Sequence, residues 1–200
     1  NGKALDFKAY ILVSRYDGDI KRSIVELIDL TNFNSVHKWL PKIDEINSMI
    51  DTSNPEFQST MRDRSVNRYL IYHPLMTNDG GLIFKDYSPL VKVDSCGSPV
   101  WINQSDRFHH SSMINDEGKI FVPTHIFPFE IEKKYVGDKI SNYYDDGIAI
   151  LSPDGNTIFS KSVSNILIEN GLKYLLFSVE TGHGLPMPRT HDPIHLNDIE

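Results

Sequence analysis

Short stretches in which hydrophobic and polar residues alternate, separated by turn-forming residues, recur along the chain. The segments from Tyr72 to Phe84 and from His109 to Phe121 align without gaps at an offset of 37 residues. Each contains a strand pattern, an Asn-Asp-x-Gly turn and a second strand pattern. Asn and Asp tolerate left-handed backbone and Gly supplies positive φ, so each segment is predicted to form a β-hairpin.

A second pattern recurs beside these hairpins and ends in a large aromatic residue. Residues Leu90 to Trp101 resemble Ile148 to Phe159, and Ile24 to Trp39 is a looser relative. In each, an alternating strand is followed by a turn, and the next strand ends in the aromatic residue. We expect this side chain to pack between neighbouring repeats. Two hairpins joined in this way give four antiparallel strands, the content of one β-propeller blade.

The predicted fold class is therefore all-β, specifically a β-propeller with short helical insertions. A β-sandwich also has short strands, but it is not expected to repeat a two-hairpin unit with the same turn and aromatic positions. The predicted blades cover residues 8–40, 68–104 and 107–163, residues 192–200 start the next one, and residues 126–147 form an insertion. Since a propeller needs about four to eight blades to close, the three to four blades of residues 1–200 predict one partial domain, the N-terminal portion of a longer protein.

The stretches outside the hairpins have patterns of their own. The insertion at residues 126–147 is polar and marked by prolines, so we expect it to lie outside the core and to cover one rim of the propeller. Apolar residues at helical spacing predict a helix from Pro41 to Asp51. A second helix is predicted from Ser164 to Asn170, with Ser164 as its N-cap and Gly171 beyond its end.

Composition and charge exclude several classes of protein. The net charge is −7, whereas nucleic-acid binding favours a basic face. No apolar run approaches the ~18 residues of a membrane span. The single cysteine, Cys96, allows no internal disulfide and lies in a turn, where we expect a surface role. The chain starts at Asn1 rather than Met, so its first residues carry no information about a signal peptide.

Three histidines occupy one position of the repeat. The offset of 37 residues superposes His73 on His110, and a shift of 85 residues superposes His110 on His195. In a propeller the first strand of each blade lines the central channel, so these three side chains are expected to converge there. Imidazoles facing a channel can bind a metal or an anion, or can act as nucleophile and acid.

The histidines are not equal candidates. Asn197 follows His195 by two residues, so both would lie on one face of a strand and point into the channel. His110 and His195 are therefore favoured as functional residues, whereas His73 is interpreted as a structural residue that the repeat inherited by duplication. The other histidines have weaker cases: His109 should point away from the channel, His37 and His125 lack companions and are interpreted as structural, and His183 and His191 lie with Arg189 in a Gly/Pro-rich loop that could reach the channel mouth.

Three runs of residues in the second half of the chain carry a family resemblance. They are Phe108-His109-His110, the Asp145-Asp146-Gly147-Ile148 entry to a strand ending in Ser152-Pro153-Asp154-Gly155, and, most specifically, Asp192-Pro193-Ile194-His195-Leu196-Asn197. Together they resemble the bacterial, PAPS-independent arylsulfotransferase family. The resemblance covers roughly residues 65–200 and implies a six-bladed propeller.

This resemblance implies roles for individual residues. Members of the family bind the sulfuryl group with channel histidines and with an asparagine two residues after a histidine. One histidine is the nucleophile and forms a sulfohistidine, from which a phenol accepts the sulfuryl group. The resemblance implies that His110 and His195 are catalytic and that Asn197 binds substrate, and His73 and Arg189 are further candidates for substrate binding.

The function implied by the resemblance is sulfuryl transfer from an aryl sulfate ester to a phenolic acceptor at a histidine-centred channel site. The family's nucleophilic histidine and sulfate-binding arginine lie further along the chain than the His-x-Asn run, which is expected to place them after Glu200. The expected partners are small molecules, with no nucleic acid, no membrane span, no cofactor and no metal ligand assigned. Family membership suggests a periplasmic or extracellular location, and the oligomeric state, a homo-oligomer included, is left open.

Two other functions stay open at the level of the sequence, because a fold does not fix a function. One is a non-catalytic propeller used for binding or assembly. The other is a metal-dependent propeller hydrolase whose ring of histidines holds the metal.

Overall fold

Antiparallel β-strands make up most of the secondary structure in the computed structural model of the protein, which describes residues 4–53, 63–136, 143–177, 179–180, 187–188 and 194–199. The strands are β1 (Tyr10–Asp17), β2 (Arg22–Asp29), β3 (Ser35–Trp39), β4 (Tyr72–Met76), β5 (Leu82–Lys85), β6 (Leu90–Val93), β7 (Pro99–Asn103), β8 (Arg107–Phe108), β9 (Met113–Ile114), β10 (Ile120–His125), β11 (Asp146–Leu151), β12 (Thr157–Ser162), β13 (Val179–Glu180) and β14 (Met187–Pro188). The helices are α1 (Ile43–Met49), α2 (Lys133–Val136) and α3 (Val163–Glu169), followed by a 3-10 helix at Lys173–Phe177. This content fits the predicted all-β class, and within the described ranges no helix has the length and apolar character to cross a membrane.

The chain divides into two units, residues 1–104 and 105–200, and the first contains two sheets. Strands β1, β2 and β3 form a three-stranded sheet, and β4 to β7 form a four-stranded sheet, each in sequence order. Hydrophobic side chains from both sheets and from α1 share one core. Its buried members are Val25, Trp39, Ile43, Ile46, Tyr69, Ile71, Leu82, Phe84, Val91 and Val93.

Trp39 is one of the aromatic residues that the sequence predicts to pack between neighbouring repeats. It is 2% exposed in the core shared by both sheets, and its indole Nε1 donates a hydrogen bond to the Gly80 carbonyl oxygen at 3.0 Å. At the corresponding place in β12, Phe159 is 45% exposed. The predicted aromatic packing is thus confirmed for Trp39, whereas for Phe159 it stays a prediction, because residues 192–200 are predicted to form only the start of the next blade.

The second unit is built on a sheet in the order β12-β11-β10-β8, and β9 also pairs with β10. Strand β8 pairs with Thr124 and His125 at one end of β10, whereas β9 pairs with Ile120 and Phe121 at the other end. The strand opposite β10 is therefore interrupted at residues 109–112, the stretch that carries two of the histidines. Strands β13 and β14 pair separately.

Four turns share one hydrogen-bonding pattern. In residues 77–81, 94–98, 115–119 and 152–156, the first amide donates to the fifth carbonyl and the fourth amide donates to the first carbonyl. The fourth residue is always a glycine with positive φ, at 79°, 81°, 77° and 83°. This identity confirms that the hairpins repeat.

The turns also correct the alignment of the repeat. Gly118 occupies the turn position of Gly80, an offset of 38 residues, so the gapless alignment at 37 is wrong beyond the histidines. The reason is that one more residue separates His110 from its turn than separates His73 from its own.

Gly97→Ala should destabilise the protein more than Gly80→Ala, although both glycines hold the same turn position. A Cβ at Gly97 would lie 2.6 Å from the Leu40 carbonyl oxygen, whereas a Cβ at Gly80 would meet only the Cβ of Ser95 at 3.7 Å. Both substitutions place a side chain on left-handed backbone, which costs about 1 kcal/mol, and only Gly97→Ala adds a backbone clash. Chemical denaturation should show a loss of about 3 kcal/mol in the free energy of unfolding for Gly97→Ala. Equal losses in the two variants would contradict the packing of this turn against Leu40.

Helices α1 and α3 overlap the predicted helical segments, but the N-cap of α3 differs from the prediction. The cap is Ser162, whose hydroxyl accepts a hydrogen bond from the Asn165 amide at 3.1 Å. Ser164 is instead buried, with its hydroxyl 2.7 Å from the Tyr143 hydroxyl. Both serines satisfy the cap preference in the sequence, and the tertiary contact with Tyr143 decides between them.

The prediction that residues 126–147 stay outside the core is wrong for the described part of that insertion. Ile131 and Tyr143 are each 4% exposed, and they cluster with Leu176 of the 3-10 helix and against Leu167 of α3. Apolar side chains of the insertion thus build a hydrophobic cluster within the second unit.

Candidate active site at His110 and His195

The three histidines at the repeat position share an uncommon backbone conformation. His73, His110 and His195 have φ of 44°, 52° and 48°, and they are three of the six described non-glycine residues with positive φ. Such backbone is infrequent outside glycine and persists where the surrounding structure enforces it. The shared conformation supports the hypothesis that the three occupy equivalent positions.

His110 and His195 lie together in the second unit. Their ring centroids are 6.1 Å apart, although 85 residues separate them in the sequence. The His110 ring also makes an edge contact with the His109 ring, at 5.0 Å between centroids. His73 lies in the first unit, where its ring is 6.5 Å from that of Tyr72. The structure thus brings together the two histidines that the sequence favours.

Hydrogen bonds hold the segment of His195 against the segment of His110. The Ser111 amide and hydroxyl both donate to the Asn197 carbonyl oxygen, at 3.3 and 3.1 Å. The Ser111 hydroxyl also donates to the Asp198 carboxylate. Because Ser111 directly follows His110, these contacts fix one imidazole-bearing segment relative to the other.

Asn197 has a different setting from the predicted one. Residues 195–199 form no strand, so the alternation that would put Asn197 and His195 on one strand face does not apply. The Asn197 side-chain amide instead donates to the His195 carbonyl oxygen at 3.1 Å. It therefore stabilises the left-handed turn that presents the His195 ring.

Asp146 is a buried carboxylate that contacts this site from the start of β11. It is 1% exposed, and its Oδ2 accepts a hydrogen bond at 2.6 Å from the amide of Leu196, the central residue of the His-x-Asn run. Its Oδ1 lies 3.1 Å from His125 Nε2 and 3.4 Å from His109 Nε2. The contact with His125 arises because the two residues are cross-strand partners in β10 and β11.

The surroundings of Asp146 favour its charged form. Burial alone would raise the pKa of its carboxyl, but the imidazoles of His109 and His125 and the Leu196 amide outweigh burial. Together they hold the pKa of Asp146 below its ordinary value. A negative charge is therefore kept close to the backbone that carries His195.

Asp145, the preceding residue, is equally buried and has different contacts. Its Oδ1 accepts a hydrogen bond from the Ser162 hydroxyl at 2.6 Å, and its Oδ2 accepts one from the Glu130 amide at 3.0 Å. Burial raises the pKa of the Asp145 carboxyl in spite of these bonds. One carboxylate thus fixes the insertion and the start of α3, while its neighbour contacts the histidine site.

Sequence reasoning missed the cluster of His109, His125 and Asp146. The interpretation of His125 as a histidine without companions is wrong, since it lies against Asp146 and its ring centroid is 4.2 Å from that of His109. The signal that could have found the cluster is the register of β10 with β11, which sets His125 opposite Asp146. The insertion between these two strands hides that register in the sequence.

The other residues singled out in the sequence lie elsewhere. Arg189, His183 and His191 fall outside the described residues. His37 lies in β3 of the first unit, with its ring centroid 4.3 Å from that of Trp39 and its Nε2 3.0 Å from the Ser95 carbonyl oxygen.

A mostly antiparallel β-protein with two adjoining imidazoles beside a buried carboxylate has the components of an acid–base or nucleophilic site. Residues 73–200, nearly two thirds of the chain, match the sequence model of the family described as Arylsulfotransferase (ASST). The chain belongs to the arylsulfotransferase family, and this membership implies a transferase. The matched segment contains His110, His195 and Asn197, and a search of curated proteins gave no significant match.

Proposed function

We propose that the protein transfers a sulfuryl group from an aryl sulfate ester to a phenolic acceptor, with His110 and His195 at the reaction site. The observation that carries the proposal is the meeting of these two imidazoles within the segment that matches the family. Both residues have left-handed backbone, and hydrogen bonds of their neighbours Ser111 and Leu196 hold both segments. A preorganised pair of this kind is what catalysis by positioning requires.

The reaction suits imidazole chemistry. An aryl sulfate monoester carries one negative charge, and its sulfuryl group passes through a loose in-line transition state as phosphoryl groups do. In the first step a nucleophile bonds to sulfur while the bond between sulfur and the aryl oxygen breaks, and an imidazolium gives its proton to the departing phenolate. In the second step the acceptor phenol gives its proton to the imidazole, its oxygen bonds to sulfur, and the nucleophile leaves. An ordinary imidazole pKa of about 6.5 lets one group serve both steps.

We assign His110 and His195 to acid–base catalysis and to binding of the sulfuryl oxygens. An imidazolium at the site offsets the charge of the substrate locally, whereas the net charge of the chain, −7, opposes an anion. Asn197, Arg189 and His73 remain candidates for substrate binding. For His73 the support is the φ that it shares with the other two histidines.

We extend the proposal to the scaffold: the sheets are blades of a propeller that has six blades when complete. Strands β4 to β7 form a four-stranded antiparallel sheet in sequence order, and β8 to β12 form a counterpart whose first strand is broken. The same turn occurs twice in each of these sheets. Export to the periplasm or the exterior is likewise proposed, from family membership alone.

The intact protein should release phenol from a chromogenic aryl sulfate at a rate that rises when a second phenol is supplied as acceptor. Mass spectrometry should find sulfated acceptor in an amount equal to the phenol released, because the sulfuryl group passes to the acceptor rather than to water. Phenol release without sulfated acceptor would indicate a hydrolase. Binding of the aryl sulfate without any release would indicate a non-catalytic binding protein, and either result would overturn the proposal.

A further inference from the structure

Three side chains of metal-ligand type converge in the second unit beside the paired histidines. His109, His125 and Asp146 each offer one ligand atom, and these atoms all lie within 4.8 Å of one another. The side chains are 9%, 28% and 2% exposed. We propose that these three residues bind a divalent transition-metal ion of the zinc type. This site goes beyond the proposed sulfuryl transfer and does not depend on it.

Backbone pairing fixes the positions of the three residues. Asp146 begins β11 opposite His125, which ends β10, and His109 directly follows β8, which pairs with the same end of β10. The His109 amide also donates to the Pro123 carbonyl oxygen of β10 at 3.1 Å. Because two of the three residues lie in paired strands and the third directly follows one, their backbone positions are set before any ion arrives.

Two atoms of the cluster lack the hydrogen bonds that burial requires. His109 Nε2 and Asp146 Oδ1 are buried, and within the described parts of the chain neither makes a hydrogen bond of normal geometry. They lie 3.4 Å apart, so both face the same small volume. Buried polar atoms without partners are unfavourable, and an ion coordinated by both would remove that penalty.

The separations fit a tetrahedral ion. Zinc binds imidazole nitrogen and carboxylate oxygen at about 2.0–2.2 Å, which puts neighbouring ligand atoms about 3.3 Å apart. Asp146 Oδ1 lies 3.1 and 3.4 Å from the Nε2 atoms of His125 and His109. The widest separation in the cluster is at most 4.8 Å, and rotation of the two imidazole rings toward a bound ion would bring their nitrogens closer together.

The donor set selects the class of ion. Magnesium and calcium prefer shells of oxygen, whereas imidazole suits zinc and its transition-metal neighbours. Three protein ligands leave a fourth position for water or an anion oxygen, and the partly exposed His125 provides access. The Oδ2 of Asp146 stays bonded to the Leu196 amide, so the ion would be tied to the segment that carries His195.

The competing explanation is a carboxylate that only orients two histidines. In that arrangement each imidazole would direct an N–H at the carboxylate, and His109 Nε2 makes no such bond within the described residues. The two rings instead lie against each other, with centroids 4.2 Å apart and planes inclined by 31°. An ion that both nitrogens coordinate accounts for their common orientation toward Asp146.

Zinc binding to the intact, metal-free protein tests the proposal. Isothermal titration calorimetry should show one zinc ion per chain, and the unfolding temperature should rise as zinc is added, because the ion binds only the folded state. His125→Gln changes the most exposed of the three ligands and should weaken zinc binding at least tenfold. His37→Gln, which changes an exposed histidine outside the cluster, should leave binding and thermal shift as in the wild type.

A measurement on the wild-type protein tests the site without the risk that a substitution disturbs the fold. Zinc should protect His125 from modification by diethyl pyrocarbonate, mapped by mass spectrometry, while His37 stays reactive. Absence of zinc binding, unchanged affinity in His125→Gln, or loss of zinc only in His110→Gln would overturn the proposal, and the last result would assign the ion to the His110–His195 pair. None of these readouts uses aryl sulfate turnover, so their failure leaves the proposed transfer reaction standing.

Discussion

Replacement of His195 by asparagine should lower the rate of sulfuryl transfer by about 10²–10⁴-fold, the usual contribution of a positioned acid–base group. Asparagine is the substitution of choice because it tolerates the left-handed backbone, with φ of 48°, that His195 adopts. The imidazole is removed, while two hydrogen bonds are kept: the one from the Leu196 amide to the Asp146 carboxylate and the one from the Ser111 amide to the Asn197 carbonyl oxygen. Since the His195 side chain is exposed, the free energy of unfolding should hardly change.

His110→Asn should reduce the rate to a similar extent, because the two rings adjoin each other. If the pair acts as a unit, the double variant should lose little more than the worse single variant. His37→Asn is the matched control, an exposed histidine in the first unit, and should keep the wild-type rate. Initial rates of phenol release and of acceptor sulfation measure all four variants, and wild-type rates in both His195→Asn and His110→Asn would remove these residues from the reaction site.

The equivalence of His110 and His195 could be predicted because short-range signals carry it, and their meeting is then expected from the propeller fold that the repeat indicates. Turn residues and alternating strands act locally, and a duplicated hairpin places equivalent residues in equivalent conformations. The error of one residue in the alignment has a local cause that the sequence does not reveal. Between Tyr72 and Leu75, β4 takes three residues where its partner strand takes two, whereas from Phe108 to Met113 the chain takes five residues where β10 takes three, so the second hairpin carries one residue more.

Long-range pairing is what the sequence conceals. His125 and Asp146 are cross-strand partners in β10 and β11, although an insertion separates them along the chain. The sequence of that insertion does not indicate which residues pair on either side of it. Aspartate is usually exposed, so general preferences do not anticipate that Asp145 and Asp146 are 0% and 1% exposed. The function of the two adjacent carboxylates therefore emerges only from tertiary contacts.

Asp146→Asn should lower the free energy of unfolding more than His195→Asn does, and should lower the transfer rate as well. The carboxylate accepts from the Leu196 amide with one oxygen and faces His109 and His125 with the other. An asparagine side chain has one oxygen and one NH₂ group, and the NH₂ group cannot accept a hydrogen bond. It can therefore replace the carboxylate either toward the Leu196 amide or toward the two histidines, but not toward both. Loss of the buried charge should lower the free energy of unfolding by about 3 kcal/mol. Displacement of the His195 segment should lower the transfer rate by about 10²-fold, as small misplacements of reacting groups do.

Asp145→Asn separates this positioning effect from a general loss of stability. Asp145 is equally buried, but its carboxylate bonds to the Ser162 hydroxyl and the Glu130 amide rather than to the histidine site. Its substitution should lower the free energy of unfolding while the rate per folded molecule stays near that of the wild type. Hydrogen exchange of the Leu196 amide, followed by NMR, should accelerate in Asp146→Asn alone, because only that variant replaces the carboxylate that accepts from this amide with a neutral side chain, whose single oxygen is a weaker acceptor. Equal exchange and equal rates in the two variants would mean that Asp146 acts through stability only, and that the His195 segment takes its position from Ser111 instead.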